Sequence, residues 1–284
     1  LGEPDPADAT RRVYTGYELA TRLSYLIWGS TPDDALLDAA ARGALDTTDG
    51  LAAEARRMLA DPRARQALAR FFAEHLKLDR LDGITKDAAT FPQMSTTLPR
   101  AMRQELERII DFVVFEQGGD LRDIFDTRTT FVNEELARVY NLPGVEGEAL
   151  QPVTLAANSP RGGVLTTAGF LALNAHASVS SPTLRGRFVR QSLLCQDIPP
   201  PPPGVSTELP EPDPTAGPQT LRQRLETLHL SVPACAACHL RMDPIGFAFE
   251  SFDAIGAYRT KEHGLAILAD EVYEDLVFPN VPFA

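Results

Sequence analysis

Apolar residues recur at intervals of three and four through the first half of the chain, which predicts a series of amphipathic helices from about Tyr14 to Leu142. A first helix is predicted to end near Gly29 and a second, through Leu36 and Ala40, near Gly43. Further helices are predicted at about 51–59, 62–78, 98–117 and 131–142. This half of the chain is therefore expected to be a helical domain.

Aromatic residues at helical spacing mark the expected core of these helices. Phe71, Phe72, Phe112 and Phe115 are predicted to be buried, because large aromatic side chains are usually found inside. His75 stands among them and is expected to be an ordinary core or boundary residue.

The pattern changes in the second half. Pro, Asn and Ser appear within 151–161, with Gly directly after, and predict a boundary or long connection. Beyond it, one helix is expected to reach about Ala175 and another to cover 184–195. Cys195 is expected to be a buried small residue. Five prolines at 199–203 predict a polyproline II rod of about 15 Å, at roughly 3.1 Å per residue, followed by an acidic linker.

Composition narrows the class of protein. The formal charge of -12 and the isoelectric point of about 4.9 argue against nucleic acid as a partner. No apolar run is long enough to cross a bilayer, so no membrane insertion of this segment is expected. Three cysteines are too few for a disulfide scaffold. Because the chain opens at Leu1, it is expected to be a processed product or a fragment.

The strongest chemical signal is the run Cys235-Ala-Ala-Cys238-His239. Two thiols three positions apart, followed at once by a histidine, are what covalent attachment of haem c requires: each sulfur adds to a vinyl group and the imidazole ligates the iron. A zinc site is an alternative, but it needs Cys195 or His229 to complete its ligands. A thioredoxin-type dithiol is the other, although no strand precedes the motif.

If haem is bound, His239 is the proximal ligand and the sixth position decides the function. A ligand such as His176 or His229 gives an electron carrier, whereas an open position gives a peroxidase or oxidase type of haem enzyme. Four arginines are candidates to meet the propionates, although a solvated surface position is the commoner role for any one of them. They are Arg185, Arg187, Arg190 and Arg259.

The chain resembles planctomycete-type cytochrome c proteins, which are also plentiful in myxobacteria. The resemblance rests on CAACHLRMDPIGFAFESFDAIGAYR, on the upstream GGVLTTAGFLAL and SSPTLRGRFVRQSLLC, and on the proline run, all in the same order. The segments YELATRLSYLIWGSTPDDALL and FVNEELARVYNL resemble the helical domain of unknown function that precedes this block. Together these segments cover about residues 12–260.

The resemblance implies a periplasmic or cell-surface protein with one covalent haem at Cys235, Cys238 and His239, transferring electrons to or from a redox partner protein. Relatives commonly carry another cytochrome domain before the helical region, so a missing domain of the same parent chain is a second expected partner. The resulting prediction is mainly α: a helical domain at 1–150, a helical hairpin and rod at 151–205, and a cytochrome c-like region at 206–260. A short extended tail is predicted at 261–284. Whether the protein is an enzyme stays open, and the alternatives are an open-site haem enzyme and a zinc-binding helical interaction domain.

The last segment departs from this family. KEHGLAILADEVYEDLVFPNVPFA is similar instead to a strand of fold-type I pyridoxal-phosphate aminotransferases, in which residues matching Asp270 and Tyr273 contact the cofactor. That activity is not carried over, because the chain has no scaffold to complete such a site. A junction near Lys261 and a loosely attached extended tail are expected.

Overall fold

A computed structural model describes residues 2–5, 7–200, 220–230 and 233–259. The predicted tail at 261–284, with Asp270 and Tyr273, lies outside the described residues, as do Pro201 to Pro203 of the predicted rod and the acidic linker that follows. Within the described part of the chain, no helix is both long and apolar enough to cross a membrane.

The described residues are mainly helical, which confirms the predicted fold class. The helices are α1 (Gly16–Ile27), α2 (Asp34–Ala41), α3 (Thr48–Leu59), α4 (Pro62–His75), α5 (Leu98–Asp111), α6 (Glu134–Tyr140), α7 (Ala168–Leu173), α8 (Pro182–Phe188), α9 (Leu221–Leu225) and α10 (Pro233–Phe247). Three of them continue in π-helical turns: α5 into Phe112–Glu116, α8 into Val189–Leu193 and α9 into Glu226–Leu230.

Two short antiparallel strand pairs accompany the helices. Strand β1 (Glu3–Asp5) pairs with β2 (Asp8–Val13), and β3 (Thr129–Val132) pairs with β4 (Gln151–Thr154). The predicted helix at 131–142 was therefore wrong at its start. Phe131 and Val132 belong to β3, and the side chain of Asn133 accepts a hydrogen bond from the Leu136 amide and caps α6 instead.

The described residues divide into two compact units. The first unit comprises residues 1–77 and 110–118, and the second comprises 78–109 and the chain from 119 onward. This grouping follows tertiary packing, whereas the predicted boundaries at 150, 205 and 260 followed composition along the chain. The two compact units do not coincide with the predicted domains. The predicted boundaries at 150, 205 and 260 stay a prediction about how the chain is organised.

An apolar cluster forms the core of the first unit. Trp28 is buried at its centre and its indole N–H donates to the Met58 carbonyl oxygen over 2.9 Å. The Arg63 guanidinium lies 3.4 Å from the centre of the Trp28 ring, a cation–π arrangement. The buried members of the cluster are Ala20, Trp28, Leu36, Ala39, Ala40, Leu45, Met58 and Ala64.

The predicted aromatic core is confirmed only in part. Phe72 is buried and Phe115 packs against the apolar cluster, but Phe71 is exposed. Phe71 faces outward on α4 and stacks on His75, with ring centres 5.5 Å apart. Helical spacing predicts which residues share a face, but it does not show how far that face extends into the core.

In the second unit, a buried carboxyl joins the helices. Glu105 on α5 is fully buried and accepts hydrogen bonds from the Thr130 hydroxyl (2.6 Å) and the Tyr140 hydroxyl (2.7 Å). Tyr140 in turn accepts from the Ala168 amide at the start of α7. Burial raises the pKa of Glu105 to about 7, because the charged form is poorly solvated there.

Candidate functional site

The haem-attachment motif lies within α10. Cys235, Cys238 and His239 occupy positions i, i+3 and i+4 of this helix, so their side chains share one face. Both thiols are free, and all three side chains are partly exposed. The helix thus presents two sulfurs and one imidazole side by side, which is the donor set that haem c attachment needs. The residues present fit that group.

His239 is oriented by a buried carboxylate. Its Nδ1 lies 2.9 Å from Oδ2 of Asp243, one helical turn later. The other carboxylate oxygen of Asp243 accepts a hydrogen bond from the Thr183 hydroxyl on α8, over 2.8 Å. The side chain of His239 is 17% exposed and that of Asp243 only 5%. The pair is therefore held in a site that is largely closed to solvent on the Asp243 side.

His229 lies against His239. It belongs to the π-helical turn Glu226–Leu230, and the two imidazole rings have centres 3.8 Å apart. Its Nδ1 is buried and has no hydrogen-bond partner among the described residues. Burial and the neighbouring His239 lower the pKa of His229. In this arrangement His229 has to move before a porphyrin can lie between the two rings, so its predicted distal role stays a prediction.

His176 lies elsewhere in the second unit. It is exposed in the turn between α7 and α8, and its carbonyl oxygen accepts a hydrogen bond from the Lys86 ammonium over 2.8 Å. Partial desolvation and the Lys86 charge lower the pKa of His176. It does not belong to the His229–His239–Asp243 group. Its predicted distal role is likewise a prediction.

The zinc site considered as an alternative for the cysteines is not assembled among the described residues. Where the chain is described, the one set of three His, Cys, Asp or Glu side chains close enough to share a metal ion is His229, His239 and Asp243. Their ligand atoms lie within 4.8 Å of one another. Cys195 is exposed rather than buried, which corrects the prediction, because α8 and its π-helical turn end at Leu193 and leave Cys195 outside the core.

Arg185 is not available to a haem propionate. Its side chain is fully buried and donates to the carbonyl oxygens of Phe249 (2.7 Å), Phe252 (2.9 Å) and Asp253 (2.6 Å). It also pairs with Glu250 at 3.2 Å. Arg185 therefore ties α8 to the segment after α10. The sequence suggested two roles for Arg185, a contact with a propionate or a solvated surface position. The structure shows neither role.

The other three candidate arginines are more accessible. Arg187 is exposed, and Arg190 is half-buried and donates to the Arg241 carbonyl oxygen on α10. Arg259 is engaged with Glu250 and Ser180. Their predicted role toward propionates stays a prediction.

Two glycines bring α8 and α10 into backbone contact. A Cβ atom at Gly246 of α10 would lie 1.8 Å from the Pro182 carbonyl oxygen, and one at Gly186 of α8 would lie 1.9 Å from that of Met242. Only glycine permits this approach. Residue patterns along the chain do not reveal this contact, although both glycines stand inside the segments that carry the family resemblance.

A cleft opens beside His239 between α9 with its π-helical turn and α10. Leu240, Pro244 and Phe247 line its apolar side. Arg222 and Glu226, which pair at 2.8 Å, line the other side. The sequence analysis missed Arg222, since nothing local distinguishes it from its neighbour Arg224. The cleft places apolar surface next to the imidazole of the motif.

Comparison with known families agrees with the resemblance at a coarser level. Residues 14–142 match the family PSD4, described as a protein of unknown function (DUF1592), and residues 161–262 match PSCyt3, described as a protein of unknown function (DUF1588). Both are domains of unknown function associated with planctomycete cytochromes c. No curated protein and no solved structure matches the chain.

Proposed function

We propose that this chain is an extracytoplasmic c-type cytochrome module that carries one covalent haem on α10 and transfers single electrons. The observation that carries the proposal is the placement of Cys235, Cys238 and His239 on one helix face. The two matching domain families, both associated with cytochromes c, support it.

Each residue of the motif has a defined part in this proposal. The thiols of Cys235 and Cys238 would hold the haem through two thioether bonds, each formed by addition of S–H across a vinyl group without an oxidant. The Nε2 atom of His239 would ligate the iron. When bound, haem c supplies a one-electron Fe(III)/Fe(II) couple. Leu240, Pro244 and Phe247 offer an apolar wall that limits water on that side.

The proposed partners are one-electron redox proteins. A second cytochrome domain of the same parent chain is one source of such a partner, and a separate periplasmic or cell-surface protein is the other. The net charge of -12 favours a partner with a basic surface, because opposite charges increase the rate of encounter. With haem bound, one redox partner would donate an electron to this chain and another would accept it. No bond of this chain would break.

One observation favours an alternative. His229, His239 and Asp243 have ligand atoms close enough to share an ion, and two imidazoles with one carboxylate are suitable ligands for zinc. On this alternative the chain is a zinc-binding helical interaction domain without haem. It predicts a colourless protein that contains zinc.

The test is the visible spectrum of the full chain, expressed in the periplasm together with a cytochrome c maturation system and then denatured and extracted with acid acetone. Absorption that survives extraction in the wild type, and is lost in the variant with both Cys235→Ala and Cys238→Ala, supports covalent haem. Cys195→Ala is the matched control, since it removes the exposed cysteine outside the motif and should leave the absorption intact.

A colourless wild type, with a matured control cytochrome from the same cells, would overturn the proposal. A metal assay that finds zinc would then establish the alternative. If haem is attached, the spectra of His176→Ala and His229→Ala identify the sixth ligand. Loss of that ligand converts a low-spin spectrum to a high-spin one, whereas a high-spin wild type indicates the open site of a haem enzyme.

A further inference from the structure

Asp243 forms a hydrogen-bonded pair with the histidine of the motif. It follows His239 by four positions on α10, and its Oδ2 lies 2.9 Å from the imidazole Nδ1. The carboxylate is almost fully buried, so neither water nor salt screens this contact strongly.

A second helix holds this carboxylate in place. Thr183 on α8 donates its hydroxyl to the other oxygen of Asp243 over 2.8 Å. The glycine contacts at Gly186 and Gly246 keep α8 and α10 at a fixed separation. Asp243 therefore differs from a mobile surface partner of the usual i, i+4 kind, because tertiary packing determines its position.

The pairing determines which nitrogen of His239 is free. An ionised carboxylate can only accept hydrogen bonds, so the proton of the neutral imidazole lies on Nδ1 and is donated to Asp243. The lone pair of Nε2 is then available for a metal. A carboxylate on the far nitrogen also makes a ligating imidazole more basic.

We propose that Asp243, anchored by Thr183, is a positioning residue that keeps His239 in the Nδ1–H tautomer and lowers the midpoint potential of the iron that His239 ligates. The inference rests on the proposed function for its effect on potential, but its effect on the tautomer applies to the protein without haem as well. The added electron density at Nε2 favours the more positive ferric ion over the ferrous ion.

The expected size follows from other metal sites. Mutation of the hydrogen-bond partner of a ligating histidine typically changes metal affinity by ten- to a hundredfold. If Asp243→Asn changes the preference for ferric over ferrous iron by a similar factor, the midpoint potential rises by about 59 mV for each factor of ten. Asparagine keeps the shape of the side chain, and its one oxygen can still accept from Nδ1–H; its NH2 group then faces Thr183, whose hydroxyl has to accept rather than donate.

The first experiment is a redox titration of the haem-loaded full chain and three variants. We expect a clearly higher potential for Asp243→Asn and a smaller rise for Thr183→Val, which loosens the carboxylate without removing it. Glu226→Gln is the matched control, because it removes one negative charge from the same cleft at a more exposed carboxylate that pairs with Arg222. A potential for Asp243→Asn no higher than that of Glu226→Gln would overturn the inference.

The second experiment needs no haem. In the pH range where the imidazole carries a single proton, nitrogen-15 NMR of the full chain produced without the maturation system is expected to report a protonated Nδ1 and an unprotonated Nε2 for His239. An Nε2–H tautomer would contradict the inference whatever the outcome for haem. Absence of covalent haem in the wild type would instead count against the proposed function, so the two failures are distinguishable.

Discussion

The two units of this protein use different interactions to hold their helices. In the first unit, apolar side chains meet around Trp28, and charged groups such as Arg57 and Asp33, which pair at 3.0 Å, remain partly exposed. In the second unit, Arg185, Glu105 and Asp243 are themselves buried and bonded. Apolar burial is non-directional, whereas buried charges require their partners at defined distances. The unit that carries the cysteine and histidine motif is thus the one whose geometry depends on directional bonds.

Removing the buried guanidinium of Arg185 should give the largest effect. Arg185→Leu removes the guanidinium from three carbonyl oxygens and breaks its buried ion pair with Glu250, so we expect the free energy of unfolding to fall by about 3–5 kcal/mol. Urea unfolding followed by circular dichroism measures this change. Arg57→Leu in the first unit is the control and should cost about 0–1 kcal/mol, since that ion pair is partly exposed. Equal losses in the two variants would contradict the contrast between the units.

Glu105 should make the stability of the second unit depend on pH. Its pKa is about 7 in the folded protein against an ordinary value of 4.5. Its stabilising contribution is therefore full below about pH 4.5 and is lost as the pH rises to about 7, a change on the order of 3 kcal/mol.

The comparison of wild type with Glu105→Gln isolates this effect, because other titrating groups contribute equally to both proteins. The hydrogen bonds from Thr130 and Tyr140 and the nearby Arg161 charge favour the ionised carboxylate and partly oppose the burial effect. We expect the stability of the wild type relative to Glu105→Gln to decrease between pH 5 and pH 8 in urea titrations. Parallel pH profiles would show that Glu105 does not titrate in this range.

A methyl group at the contact between α8 and α10 tests how closely these helices must approach. Gly246→Ala places a carbon 1.8 Å from the Pro182 carbonyl oxygen, and we expect a loss of about 2–3 kcal/mol as the helices separate. Gly83→Ala is the matched control in the same unit, because no atom lies within 4 Å of its added carbon. Thermal unfolding of both variants measures the difference, and a neutral Gly246→Ala would argue against the close contact.

The smallest expected effect lies at the start of α1. Thr15 accepts a hydrogen bond from the Glu18 amide, and Glu18 accepts one from the Thr15 amide over 2.9 Å, which together form a capping box. Thr15→Ala should lower the free energy of unfolding by about 1 kcal/mol, whereas Thr15→Ser keeps the hydroxyl and should be close to neutral. A loss in the serine variant as large as that in alanine would point to packing of the threonine methyl group instead.

Most helices of the first unit could be predicted because their signals are local. Apolar spacing predicted α3 and α4, and α2 begins after Asp33, whose side chain accepts a hydrogen bond from the Leu36 amide. The prediction was weakest where an element depends on a distant partner. Strand β3 needs β4, about twenty residues later, and no local pattern in Phe131 or Val132 shows that pairing.

The sequence by itself determined the donor set on α10, because i, i+3 and i+4 spacing places Cys235, Cys238 and His239 together on any helix. Tertiary structure alone decided what surrounds them. The contact of His229 with His239, the hydrogen bond from Thr183 to Asp243 and the burial of Arg185 each join residues that are close in space and separated along the chain. The physical reason is that burial and hydrogen bonding depend on which elements pack together, whereas residue spacing specifies only the geometry within a single element.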